Sequence, residues 1–229
     1  MRRHPLARAA VAACVLALAG TACDAGQGPP ERVTPVSTSS DSGRWAARAP
    51  IPTPRSEVGV AAVGGRVYVV GGFGGTTVNE EYDPATDRWR ARAPLPRGVH
   101  HPGVAGIAGK LYVVGGYADP GGQPTAGLWE YDPAGDAWRE RAPLPTPRSG
   151  IAAAAVGGRI FVFGGEQPSG TFEQNEGYDP RADAWASFAP MPTARHGIGA
   201  AVLGGTVYLP AGGPTPGGSQ TERHETFTP

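Results

Sequence analysis

Three arginines recur at one place in this 229-residue sequence. Arg55, Arg148 and Arg195 each stand three residues after the second proline of an Ala-Pro-x-Pro motif. A guanidinium offers a planar fork of donors that fits a carboxylate bidentately, so several around one mouth would hold a carboxylate or an acidic peptide. Recurrence equally suits an arginine that every repeat needs to bond neighbouring carbonyls or to cap a turn. One copy of the motif departs. After Pro94-Leu95-Pro96 the arginine position is Val99, Arg97 falls two residues earlier, and His100 and His101 follow. Residue His196 directly follows Arg195. The irregular residues Arg97, His100 and His101 are the ones a repeat does not explain.

A histidine pair raises metal binding. Successive residues on a strand face opposite sides, so His100 and His101 would share an ion only if the chain bent there. Both cysteines, Cys14 and Cys23, fall in the leader, and no carboxylate stands at metal-ligand spacing, so neither metal nor cofactor is expected. For acid–base chemistry the candidate is Glu166, with an arginine or histidine as partner.

The framework that must position these residues is periodic. Trp45, Trp89, Trp138 and Trp185 are spaced by 44, 49 and 47 residues. Gly71–Gly72, Gly115–Gly116, Gly164–Gly165 and Gly212–Gly213 each close an apolar run, and Tyr82, Tyr131 and Tyr178 open Tyr-Asp-Pro seven residues before a Trp. Only the segment from Gly-Gly to Tyr or Phe varies, at 10, 15, 13 and 14 residues. Each unit reads as four short strands. The first is small and apolar (Val58–Val63, Gly150–Val156, Gly197–Leu203), the second β-branched and aromatic (Arg66–Val70, Lys110–Val114, Arg159–Phe163), and Gly64–Gly65 suits a two-residue hairpin between them. The third ends at the Tyr and the fourth opens with the Trp. Four antiparallel strands repeated radially make a β-propeller blade. Alternating strand direction puts the variable segments, with Phe73, Tyr117, Asp119, Glu166 and Gln167, on the same face as the blade connections, and variable loops on a rigid scaffold are where binding resides.

Gly-Gly after a hydrophobic strand, then Tyr-Asp-Pro, Trp and Ala-Pro-Leu-Pro, resembles the kelch repeat, and the resemblance covers residues 44–229. It implies an all-β propeller; the four copies in this sequence make four blades of four antiparallel strands, where kelch propellers more often have five to seven. The last copy has three strands and no Trp strand, while Arg44–Pro50 is a Trp strand with nothing before it; their pairing would close the ring. The alternatives are an open arc, or a ring completed by a second chain. In kelch proteins that bind acidic peptides, arginines at the blade connection do so, by resemblance. The ligand-binding candidates are therefore Arg55, Arg97, His100, His101, Arg148, Arg195, His196, Phe73, Tyr117 and Glu166. The resemblance implies a non-catalytic module for a protein or glycan ligand. The alternative is a carbohydrate-active enzyme of the mutarotase type; galactose-oxidase chemistry needs a Tyr–Cys cross-link that a domain without Cys cannot form.

Ahead of the repeats, residues 1–22 read as a signal peptide: a basic start, then the twelve-residue apolar run Ala9–Gly20, too short to span a bilayer. Gly20-Thr21-Ala22-Cys23 resembles a bacterial lipobox, which would lipidate Cys23; ordinary signal cleavage and secretion is the alternative. Residues 23–43, rich in Pro, Ser and Thr, make a flexible linker. Export to a lipid-anchored position outside the cytoplasmic membrane is the expected localisation. Lys+Arg and Asp+Glu balance at 20 each, which leaves no electrostatic footprint for nucleic acid.

Overall fold

The computed structural model describes residues 45–229. The leader, Cys23 and the linker lie outside the described residues. The chain divides into two units, Met1–Ala46 and Ala47–Pro229, and the second holds every strand.

Strands β1 (Gly59–Val63), β2 (Arg66–Val70), β3 (Asn79–Asp83) and β4 (Arg88–Ala91) form the first blade in that order, all antiparallel. In chain order there follow β5 (Gly98–His100), β6 (Gly103–Ile107), β7 (Lys110–Val114), β8 (Tyr117–Asp119), β9 (Gln123–Pro124), β10 (Leu128–Asp132) and β11 (Ala137–Glu140). The second blade is β6-β7-β10-β11, and β5-β8-β9 is a small sheet at its rim. Next come β12 (Ala152–Val156), β13 (Arg159–Phe163), β14 (Glu166–Gln167), β15 (Gly170–Thr171), β16 (Asn175–Asp179) and β17 (Ala184–Ser187). The third blade is β12-β13-β16-β17, with β14-β15 as a rim hairpin. The last sheet has three strands, β18 (Ala201–Leu203), β19 (Thr206–Pro210) and β20 (His224–Phe227).

The second strands match the sequence reading residue for residue. The first strands are shorter than expected, because Gly150, Ile151 and residues 197–200 belong to the blade connection instead. Gly64 and Gly65 both adopt φ above +50°, as a type I′ hairpin demands. The rim sheets are unforeseen: β8, β9, β14 and β15 form inside the variable segments, where no periodicity marks them, and β5 forms in the connection ahead of the second blade. Ring closure by Arg44–Pro50 is not observed. Residues 45–50 form no strand, and β20 pairs with β19 alone.

The repeated aromatic and acidic residues clip blade to blade. Trp89, Trp138 and Trp185 each donate Nε1 to the carbonyl of the preceding connection, at Ala49, Ala93 and Ala142, 2.8 Å in every case. The same three alanines donate N–H to Asp87, Asp136 and Asp183, which also accept from the hydroxyls of Tyr82, Tyr131 and Tyr178. The other aspartates of the motif, Asp83, Asp132 and Asp179, accept turn amides two residues on. Between blades lie apolar clusters such as Tyr68, Leu95, Leu111, Trp129 and Tyr131, all buried. Each such side chain contributes about 1.5–3 kcal/mol by leaving water.

These clips carry an acid-stability prediction. Asp136 is held below the usual carboxylate range by the Ala93 amide and then the Tyr131 hydroxyl, and Asp183 by the Ala142 amide and then Tyr178. A carboxyl whose pKa is depressed on folding stabilises the fold above its unfolded value, about 3.9, and that contribution is lost as pH falls through the folded value. Stability should therefore decline below about pH 4. An Asp136→Asn/Asp183→Asn double variant should show a flatter acid limb in urea melts. An unchanged limb would remove the clips from that account.

Candidate functional site

Of the arginines expected at a binding face, three are structural. The side chains of Arg55, Arg148 and Arg195 have no exposed surface and pair with Glu80 (2.7 Å), Glu176 (2.5 Å) and Glu225 (2.7 Å). Their remaining donors meet main-chain carbonyls: Arg55 bonds Gly71 and Val78, Arg148 bonds Gly164, Thr146 and Val162, and Arg195 bonds Leu209 and Arg223. Burial lowers the pKa of Arg55 and Arg148, against the pull of Glu80 and Glu176. No fork is left to hold an acidic ligand, so the acidic-peptide expectation is corrected for these three. The departing copy confirms the logic. Where the other blades carry Arg and, two residues before the aromatic, Glu, the second blade carries Val99 and Trp129, which are buried in one apolar cluster. An ion pair has been exchanged for a hydrophobic pair. Arg97 is exposed and lines a separate crevice beside Thr125, Trp129 and Glu140.

The other candidates converge. The ring of His100 lies between Phe73 (centroids 4.1 Å apart, tilted 31°) and Tyr117 (5.4 Å, 33°). His101 stands edge-on to all three. Its backbone φ is +55°, so the chain does bend there, and the two imidazoles share a side instead of alternating. Their Nδ1 atoms are 2.8 Å apart, and Nε2 of His101 is 3.1 Å from Glu57. If His101 donates from Nε2 to Glu57, its Nδ1 accepts from His100, which leaves Nε2 of His100 as a bare acceptor. Burial, then the neighbouring His101, lowers the pKa of His100, favouring that neutral form.

Across the mouth Glu166 is buried, accepts from the Gly217 amide (3.0 Å) and lies 3.4 Å from Nδ1 of His196. His196 bonds the Thr215 carbonyl through Nε2 (3.0 Å). The Tyr117 phenol is raised by burial first and the facing Glu166 second. Asp119 accepts from Thr76, and Gln167 bonds Ser169. A depression of about 290 Å³ is bordered by Glu57, His101, Gly150 and Gly197, with Val58, Pro102, Ile151 and Ile198 as its apolar wall. Among the described residues no three His, Cys, Asp or Glu side chains converge as a metal ion would need.

Sequence reasoning missed Glu57. The signal was there in register: residues 57, 101, 150 and 197 are equivalent, all with φ between +54° and +60°, and their backbones are bonded in series around the mouth. Two copies use glycine at this left-handed position; the others place Glu57 and His101 there, at a cost of about 1–2 kcal/mol each.

Blades of four antiparallel strands around this mouth define a kelch-type β-propeller domain. The Kelch motif matches residues 54–96, 99–145 and 147–192, and the chain belongs to that family. Among solved structures it is similar to that of YjhT, with a TM-score of 0.67 at 21% identity over 78% of this chain and 66% of that one, so it spans slightly under two-thirds of YjhT's length. That likeness concerns the fold alone. Among curated proteins none matches the sequence.

Proposed function

We propose that the domain is an extracytoplasmic binding module that recognises a glycan at the mouth formed by Phe73, His100, His101, Tyr117, Glu57 and Glu166, held at the membrane by a lipid on Cys23. The observation that carries this reading is the Phe73–His100–Tyr117 stack beside the bonded pair His101–Glu57. Flat rings with hydrogen-bonding groups at their rim suit a sugar face and its hydroxyls, while the buried arginines leave little for an acidic ligand. Loops on a rigid scaffold are the usual seat of such recognition.

The test is a broad glycan array probed with the full chain. The expected result is a sugar-selective signal that Phe73→Ala and His101→Ala abolish and Arg97→Ala retains, with melting temperatures close to wild type. A blank array would reject the glycan reading and turn the search to a protein ligand at the same face. A second reading, a mutarotase-type enzyme, is favoured by one contact, Glu166 beside His196. It requires Glu166→Gln to remove turnover on an array-positive sugar while leaving binding in place.

A further inference from the structure

The mouth holds more negative charge than its own side chains can balance. The guanidiniums that could have served are turned inward, where Arg55, Arg148 and Arg195 pair with Glu80, Glu176 and Glu225. Three carboxylates stand by the aromatic stack. Glu57 lies 3.1 Å from Nε2 of His101, Asp119 accepts from the Thr76 hydroxyl, and Glu166 faces the Tyr117 phenol. Among the described residues no Lys or Arg pairs with any of these carboxylates. The imidazoles compensate only in part. The 2.8 Å contact between the Nδ1 atoms of His100 and His101 has room for one proton, so that pair carries at most one positive charge. His196 bonds the Thr215 carbonyl through Nε2 and turns Nδ1 to Glu166, which a second charge would balance. One carboxylate is left over even then, and all three stand uncovered when the rings are neutral.

We propose that the glycan bound here carries a free amino group, whose ammonium pairs with Glu57 while the sugar ring lies against Phe73. This rests on the glycan reading of the mouth and narrows it to cationic amino sugars. Glu57 is the carboxylate best placed for the pair. It is half-exposed and borders the depression, whereas Glu166 is buried and already accepts from the Gly217 amide. Its contact with His101 uses Oε2, and an ionised carboxylate offers about four lone-pair sites, so acceptor capacity remains. Glu57 also has φ +54° at a position where two other copies have glycine, so a side chain there strains the backbone, as side chains at functional sites commonly do. Phe73, 47% exposed, offers a ring face to the same cation. An acidic sugar meets three like charges instead, and acetylation of the amine removes the charge that Glu57 would pair with.

Calorimetric titration of the full chain in detergent with the tetramers of glucosamine, N-acetylglucosamine and glucose reads the role of the charge. The glucosamine tetramer should bind roughly tenfold or more tighter than the other two, the increment of one bond to a charged group. Glu57→Gln keeps the side chain's size and an oxygen for His101, and it should close that gap; Arg97→Ala should preserve it. Spermine matches the charge of the glucosamine tetramer without a sugar ring and should bind more weakly. If glucosamine binds no better than the other sugars, or if the gap survives Glu57→Gln, this inference falls and the glycan reading stands. Spermine binding as tightly as the glucosamine tetramer, or no binding of any sugar here or on the array, would overturn both.

Discussion

Replacing Arg148 with valine is expected to destabilise the domain by about 3–5 kcal/mol, the usual cost of stranding one member of a buried ion pair. For a domain of this size that lowers the melting temperature by roughly 6–20 °C. The cause is specific. Glu176, with 5% of its side chain exposed, would lose its counter-charge, and the carbonyls of Gly164 and Val162 would lose their donor. Adding Glu176→Trp should recover most of the loss, because the second blade already carries Val99 and Trp129 at these two positions and buries both. Thermal melts of the two single variants and the double variant form a cycle whose coupling should exceed about 2 kcal/mol. If Arg148→Val melts like wild type, the arginine is not a structural member, and its availability to a ligand reopens.

That experiment also separates what the sequence made legible from what it did not. The frame was legible because each framing residue answers a backbone demand that spacing reveals: Gly64–Gly65 turn a hairpin, Asp83 caps a turn, and Trp89 sits at a fixed distance from its connection. The role of the arginines was not legible, since a recurring donor has the same spacing whether it binds carbonyls within or a ligand without. The deciding clue lay in a pair of positions, as Glu accompanies Arg in three copies and Trp129 accompanies Val99 in the fourth. The mouth was half legible. Phe73, Tyr117 and the histidines stood out as irregular, but strand alternation misplaced His101, because the rule fails where φ turns positive. Glu57 hid in a regular position whose left-handed backbone no pattern of polarity discloses. Ring closure by Arg44–Pro50 was overread: complementary sequence pieces do not make a pairing, and residues 45–50 form no strand.

The Gly-Gly motif yields the second large effect, and Gly164→Ala is the sharpest form of it. Gly164 has φ +56°, and a Cβ built there would stand 2.3 Å from the main-chain oxygen of Arg195. That carbonyl accepts from Gly165 N–H at 2.8 Å, a bond that joins the third blade to the last sheet. A methyl group must therefore strain the backbone and also force the inter-blade contact apart, since a carbonyl in the main chain cannot swing away like a flexible side chain. The first part costs about 1–2 kcal/mol and the overpacking about 1–3 more. Gly158→Ala is the control in the same blade: φ is +78° there, yet nothing lies within 4 Å of the added carbon. It should show only the conformational part. Urea melts of the two variants, compared at equal slope, read the difference directly. A gap of at least about 1 kcal/mol in favour of Gly158→Ala is expected. Equal losses would mean that the paired glycines serve backbone conformation alone, and that close approach between blades places no demand on them.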